Sequence, residues 1–157
     1  MTQHVNTRGA KPVGHIADLQ QVEAAAVLCL RLWCNGPGAQ RQVRGDFDGM
    51  LGPAAGQAAA AALDDLCQLF ARFGRRPVMH HHPSCGCLGA DEACFANLVA
   101  LATEGECEDA ALIATLMVRP DVSLRLAASA QTLGIALRRM AIKTDHRWAP
   151  RPPGTIH

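Results

Sequence analysis

The chain has 157 residues, of which 49% are hydrophobic and 18% are charged, so it is long and apolar enough to bury the core of one domain. Its formal net charge of +1 gives no bias toward nucleic acid or an anionic membrane, and we expect neither as a partner. Aromatic residues make up only 4% of the chain, so the core must consist of aliphatic residues and alanine, which favours closely packed helices.

The two ends of the chain differ in composition from the middle. Residues 1–14 contain Gly, Pro and polar residues without periodicity, which predicts a flexible N-terminal segment. They also lack the apolar run of a signal peptide, and this favours a cytoplasmic protein. Residues 147–157 form a Pro-rich C-terminal tail that cannot continue a helix. Residues 15–146 are therefore predicted to form a single helical domain.

The first half of this domain is predicted to contain two helices. Asp18 caps the first, whose apolar residues recur with helical spacing, and the Gly- and Pro-containing stretch 35–38 ends it. The second is Ala-rich and runs from Pro53 to Phe73, where Gly74 follows it. The intervening segment 44–51 is interpreted as a turn or a short additional helix.

The second half is predicted to contain three more helices. Asp91 and Glu92 open the third, because acidic residues in a first turn complement the helix dipole, and Gly105 ends it. The fourth, over 108–118, is apolar on almost every side, which predicts that it is the central and most buried helix. The fifth begins at Pro120. The pattern predicts an all-α fold, a compact bundle of about five helices.

The connection between the second and third helices, from Gly74 to Ala90, departs from this pattern. In a small bundle, so long a connection is usually functional or disordered. Its composition argues against disorder, because it contains three consecutive histidines and, shortly after them, two cysteines. Imidazole nitrogen and thiolate sulfur are the ligands that Zn²⁺ prefers in proteins.

The spacing within this His/Cys-rich loop selects a set of candidate ligands. In an extended segment His80 and His82 point to one side and His81 to the other. Gly86 permits a tight turn that brings the two cysteines toward the same point. The predicted zinc ligands are His80, His82, Cys85 and Cys87. Four neighbouring residues are alternatives that replace one of these ligands: His81, Asp91, Glu92 and Cys94.

Two other interpretations of the loop remain open. In one, the histidines are solvated and the cysteines pack as small apolar residues. In the other, Cys85 and Cys87 form a redox pair whose thiolates are stabilised near the start of the third helix. The remaining scattered cysteines are interpreted as small buried apolar residues: Cys29, Cys34, Cys67 and Cys107.

A closed site with four ligands stabilises a fold and leaves no coordination position for a substrate. The sequence therefore predicts a small zinc-binding helical protein with a structural or regulatory site, which presents its surface to a protein partner or to a second copy in a homodimer. One alternative is a metal-dependent enzyme with an open coordination position. Another is a metal-free helical interaction module.

Overall fold

The computed structural model describes residues 8–148, with side chains described as far as Thr144. This part of the chain forms six α-helices and one small two-stranded sheet, so the all-α class is confirmed in its broad form. The helices are α1 (Gln21–Trp33), α2 (Pro37–Leu51), α3 (Pro53–Phe73), α4 (Ala90–Glu104), α5 (Cys107–Met117) and α6 (Ser123–Trp148). The strands, which the sequence did not predict, are β1 (Pro12–His15) and β2 (Cys87–Gly89).

The additional helix is α2, a full helix where the sequence left a turn or a short helix open. Its buried residues, Val43, Phe47 and Leu51, recur every four positions and form one apolar stripe. Gly36 and Gly52 flank the helix with φ values of 98° and 87°, a region that favours glycine, and each is followed by a proline that starts a helix. The stretch that ends α1 therefore also begins α2.

The prediction that 108–118 is the most buried helix is wrong. Leu112 and Leu116 on α5 are 65% and 63% exposed, and the residues of this helix that are buried include two alanines, Ala110 and Ala114. The small alanine face packs on α4 and α6, and the leucines face outward. Helix α4 is buried more deeply than α5, since its Phe95 is fully enclosed, and α6 is the central helix, because it packs against each of the other five described helices.

The core lies between α3, α4 and α6. Phe70 of α3 meets Phe95 of α4 edge to face, with ring centroids 5.9 Å apart. Gly134 lets α6 approach α4 closely, because a Cβ at this position would overlap the side chain of Thr103. On α6 the buried face includes Leu126, Ala130 and Leu133, which are fully enclosed and recur with helical spacing.

The small sheet joins the N-terminal region to the end of the connection between α3 and α4. β1 and β2 are antiparallel, with His15 opposite Cys87 and Pro12 opposite Gly89. Residues 8–14, within the segment predicted to be flexible, thus include a short 3-10 turn and most of β1. At the other end, α6 includes Arg147 and Trp148, and the rest of the predicted tail lies outside the described residues, as do residues 1–7. None of the helices described here is long and apolar enough to cross a membrane.

Candidate functional site

The His/Cys loop, defined as residues 80–87, is held from beneath by the buried guanidinium of Arg31 in α1. Arg31 is fully buried, and its Nε and Nη2 donate to the two carboxylate oxygens of Glu92 at 2.5 and 2.9 Å. The other N–H groups donate to three backbone carbonyls of the loop, those of His82 at 3.1 Å, Cys85 at 2.7 Å and Cys87 at 2.7 Å. All five N–H groups of this guanidinium are therefore used, and they fix the loop backbone.

Glu92, the acidic partner of Arg31, is also fully buried. Burial alone would raise the pKa of Glu92. The hydrogen bonds from Arg31 and from the Gly89 N–H (3.0 Å), together with the Arg31 charge, outweigh burial and hold this pKa below its usual range. The hydrogen bond to Glu92 in turn raises the pKa of Arg31. The pair therefore stays charged at neutral pH, and both oxygens of Glu92, an alternative zinc ligand, are already engaged.

A second ion pair fixes the segment that leads into the loop. Arg76 donates to both oxygens of Asp91 at 2.6 and 2.8 Å, and the Met79 N–H donates to Asp91 at 2.8 Å. Gly9 packs directly on this pair, where a Cβ would overlap the Asp91 and Arg76 side chains. Asp91, also named as an alternative ligand, is thus occupied in positioning the start of α4.

Each of the three imidazoles of the loop lies beside a polar group of the protein. His82 Nδ1 lies 2.7 Å from the Ser84 hydroxyl, and His80 Nδ1 lies 3.4 Å from the His81 carbonyl oxygen. His81 turns toward the N-terminal region, with its Nε2 3.0 Å from the Ala10 carbonyl oxygen. The thiols of Cys85 and Cys87 are half-buried.

The four predicted ligands are not gathered around one point. Over residues 8–144, whose side chains the structure describes, no three His, Cys, Asp or Glu side chains lie together in an arrangement able to hold a metal ion. The backbone at His82, Cys85 and Cys87 is fixed by a single guanidinium, but the donor atoms do not converge. The zinc site at these residues and at His80 stays a prediction.

Two cysteines that are distant in the sequence lie near each other. Cys34 ends α1 and is exposed, Cys67 lies in α3 and is half-buried, and both line one cavity, close enough for each thiol to shift the pKa of the other. We call Cys34 and Cys67 the cysteine pair. The interpretation of the scattered cysteines as buried apolar residues is wrong for Cys34 and Cys107, which are exposed. One signal in the sequence points to this, because Cys34 directly precedes the helix terminator at 35–38 rather than lying within the helix.

The interaction between the two thiols shifts their pKa values in opposite directions. The hydrogen bond from Cys67 lowers the pKa of Cys34 to about 7, burial opposes this shift, and the nearby His80 assists it. The same hydrogen bond and burial raise the pKa of Cys67. At neutral pH Cys34 therefore carries the thiolate, and Cys67 is the thiol that donates to it. By contrast, burial raises the pKa of Cys29 to about 12, which makes that thiol unreactive.

The cysteine pair lines a cavity of about 480 Å³ between α1, α3 and the chain that follows α3. Apolar side chains form much of its wall: Leu30, Phe70, Ala71 and Val78. Arg75 and Arg76 also line it. A space of this size, apolar with a few polar groups, is typical of a site for a small organic molecule.

Comparisons with protein-family models, with curated proteins and with solved structures gave no match to this chain.

Proposed function

We propose that the protein is a thiol-based redox protein in which Cys34 is the nucleophile and Cys67 the resolving thiol. The observation that carries this proposal is that Cys34 and Cys67 lie side by side in the wall of one cavity, where each thiol shifts the pKa of the other. A thiolate that is exposed, has a lowered pKa and lies beside a second thiol is the arrangement found in cysteines that are oxidised reversibly.

The chemistry follows from the different protonation states of the two thiols. The Cys34 thiolate attacks an oxidant, which is either a hydroperoxide or a disulfide, and becomes covalently modified at its sulfur. Cys67 then loses its proton and attacks that sulfur, which releases the remaining group of the oxidant and forms the Cys34–Cys67 disulfide. The pair gives up two electrons in total, and a thiol reductant returns it to the dithiol. A reducing compartment such as the cytoplasm, which we propose as the location, supplies such thiols.

The test is to oxidise the reduced protein with hydrogen peroxide and to count the remaining thiols. We expect the wild-type chain to lose two thiols and to give a peptide that links Cys34 to Cys67. In the Cys67→Ser variant, Cys34 should be oxidised but form no disulfide within the chain. In the Cys34→Ser variant, Cys67 should stay reduced. Cys107→Ser is the matched control, because Cys107 is also exposed but has no role in the pair. Absence of the Cys34–Cys67 linkage in the wild-type chain would refute the proposal.

Zinc binding by the His/Cys loop is a second candidate function. It is favoured by the anchoring of the loop, since Arg31 holds the backbone of three of the four predicted ligand residues: His82, Cys85 and Cys87. On this proposal the His80, His82, Cys85 and Cys87 side chains bind one zinc ion, as a structural or regulatory site that presents the loop to a protein partner or a second copy. The fixed backbone lowers the entropy cost of ordering these side chains.

Elemental analysis of the reduced protein tests the zinc proposal. We expect one zinc ion per chain, lost in the double variant Cys85→Ser, Cys87→Ser and kept in Cys107→Ser. X-ray absorption would then separate a closed site with four protein ligands from a site with a bound water, which is the arrangement of a metal-dependent enzyme. A reduced protein without stoichiometric metal would exclude both and leave the loop as part of a metal-free interaction module.

A further inference from the structure

From the cavity beside the cysteine pair we infer that the oxidant of Cys34 is an organic hydroperoxide with an aliphatic body and a carboxylate group. This inference rests on the proposed redox function and adds the substrate class. It draws on the apolar wall of the cavity, on the position of Arg75, and on the contrast between Arg75 and its neighbour Arg76.

The apolar wall selects the body of the substrate. Ala71 and Pro77, which are exposed, and Val78, which is half-buried, line the same space as the two cysteines. An aliphatic chain lying against them removes apolar surface from water, which favours binding. A polar peptide disulfide would instead place amide groups against these side chains without hydrogen-bond partners, which is unfavourable. Hydrogen peroxide would leave the cavity unused.

Arg75 supplies a positive charge at the wall of this cavity. It follows α3 directly, it is exposed, and its Nε donates to the Thr115 carbonyl oxygen at 2.6 Å, which orients the guanidinium. Among the side chains of residues 8–144, no carboxylate forms an ion pair with Arg75, and its Nη groups make no hydrogen bond to this part of the chain. Arg76, in contrast, is already paired with Asp91.

A guanidinium with free Nη groups is suited to bind a carboxylate through two parallel hydrogen bonds. Arg75 therefore anchors the acidic end of the substrate, and the apolar wall orients its chain toward Cys34. The lining of one cavity thus contains the three groups that the substrate requires: a cation, an aliphatic surface and a thiolate.

The reaction balances without a cofactor. The Cys34 thiolate attacks the terminal oxygen of the hydroperoxide, the O–O bond breaks, and the departing alkoxide takes a proton from solvent to become an alcohol. Cys34 is now a sulfenic acid. The Cys67 thiol attacks its sulfur, the S–O bond breaks, and the hydroxide leaves as water with the proton of Cys67. The products are the alcohol, water and the Cys34–Cys67 disulfide.

The experiment compares three oxidants by quenched-flow mass spectrometry of Cys34: linoleic acid hydroperoxide, its methyl ester and hydrogen peroxide. We expect the acid to react about tenfold faster than the ester, the effect of one charge-assisted pair, and faster still than hydrogen peroxide. Arg75→Gln should abolish the preference for the acid over the ester, and Arg75→Lys should restore part of it. Arg72→Gln, which changes an exposed arginine of α3 outside the cavity, should keep the preference.

The outcomes separate this inference from the proposed function. Equal rates for the acid and the ester, in a protein that still forms the Cys34–Cys67 disulfide, would overturn the substrate assignment and leave the redox function standing. A preference for the acid that survives in Arg75→Gln would overturn the role of Arg75. Failure of all three oxidants to give the disulfide would remove the redox function and the substrate assignment together.

Discussion

The His/Cys loop and the cysteine pair differ in how separation along the chain relates to distance in the structure. The loop places three histidines and two cysteines within eight residues, yet their donor atoms do not converge. Cys34 and Cys67 are separated by α2 and much of α3, yet they line one cavity and each shifts the pKa of the other. A high density of reactive residues along the chain therefore does not by itself bring their side chains together, whereas the packing of α1 against α3 does so for two distant cysteines.

The same turn of α1 serves both regions. Arg31 and Cys34 are three positions apart, a spacing that places them near one another at the end of the helix. Arg31 reaches inward to the loop carbonyls and Glu92, and Cys34 meets α3 through Cys67. The loop is thus fixed by the buried Arg31–Glu92 ion pair, whereas the cysteine pair depends on one interaction between two thiols. The three predictions below, in order of expected size, test this difference.

Removing the buried guanidinium should have the largest effect. Arg31→Met leaves the buried Glu92 without its cationic partner and removes the guanidinium that binds three loop carbonyls, so we expect a loss of about 3–5 kcal/mol in the free energy of unfolding, measured by urea titration. The control is Arg119→Gln, which breaks the exposed pair with Asp121 and should lower the free energy of unfolding far less, because water screens exposed charges. A similar small cost for both variants would show that the loop does not depend on Arg31.

Replacing Cys67 should lower the reactivity of the Cys34 thiol and leave the His/Cys loop intact. Because the hydrogen bond from Cys67 stabilises the thiolate, Cys67→Ala should move the pKa of Cys34 from about 7 toward the usual value of about 8.5. Alkylation of Cys34 by iodoacetamide at pH 7 should then slow by about tenfold, because the thiolate is the reactive form. Cys107 within the same chain is the internal reference. An unchanged rate profile for Cys34 would exclude the thiol–thiol contact as the cause of its acidity.

Lowering the pH should decrease the stability of the protein, because Glu92 becomes protonated and its ion pair with Arg31 is lost. Its pKa is lowered in the folded protein, so its contribution to stability is present above the unfolded value of about 4.3 and is lost as the pH falls through the lower folded value. We expect the free energy of unfolding to decrease over this acid range. Asp65 has a lowered pKa and contributes in the same direction, so Glu92→Gln is needed to isolate the effect. An equally steep acid dependence in Glu92→Gln would assign it to other carboxylates.

The sequence predicts the local features of the fold better than the distant contacts. The bounds of α3 agree with the prediction because Pro53 and Gly74 mark its ends, and Gly105 likewise ends α4. Helix α2 was harder to predict, since its apolar stripe is narrow and interrupted by glycine. The burial of α5 was misjudged because an apolar helix can lie outside the core when its alanines, rather than its leucines, face inward.

The contacts that organise both candidate regions join residues far apart in the chain. Arg31 and Glu92 are separated by 61 positions, so no spacing rule pairs them. One sign was present, because a charged residue between Leu30 and Trp33 interrupts the apolar run of α1. A charge in such a run requires a buried partner, but the sequence does not identify which carboxylate supplies it.

Because all five N–H groups of Arg31 donate hydrogen bonds, the backbone amides of the loop should exchange slowly with solvent deuterium. The loop cannot open while the guanidinium stays in place, and the guanidinium cannot leave without exposing Glu92 and separating α1 from α4. The Gly89 amide, bonded to Glu92, and the Cys85 amide, bonded to the His82 carbonyl, should therefore exchange with deuterium as slowly as amides of the central helices. A segment without helix would then unfold only when the whole protein does.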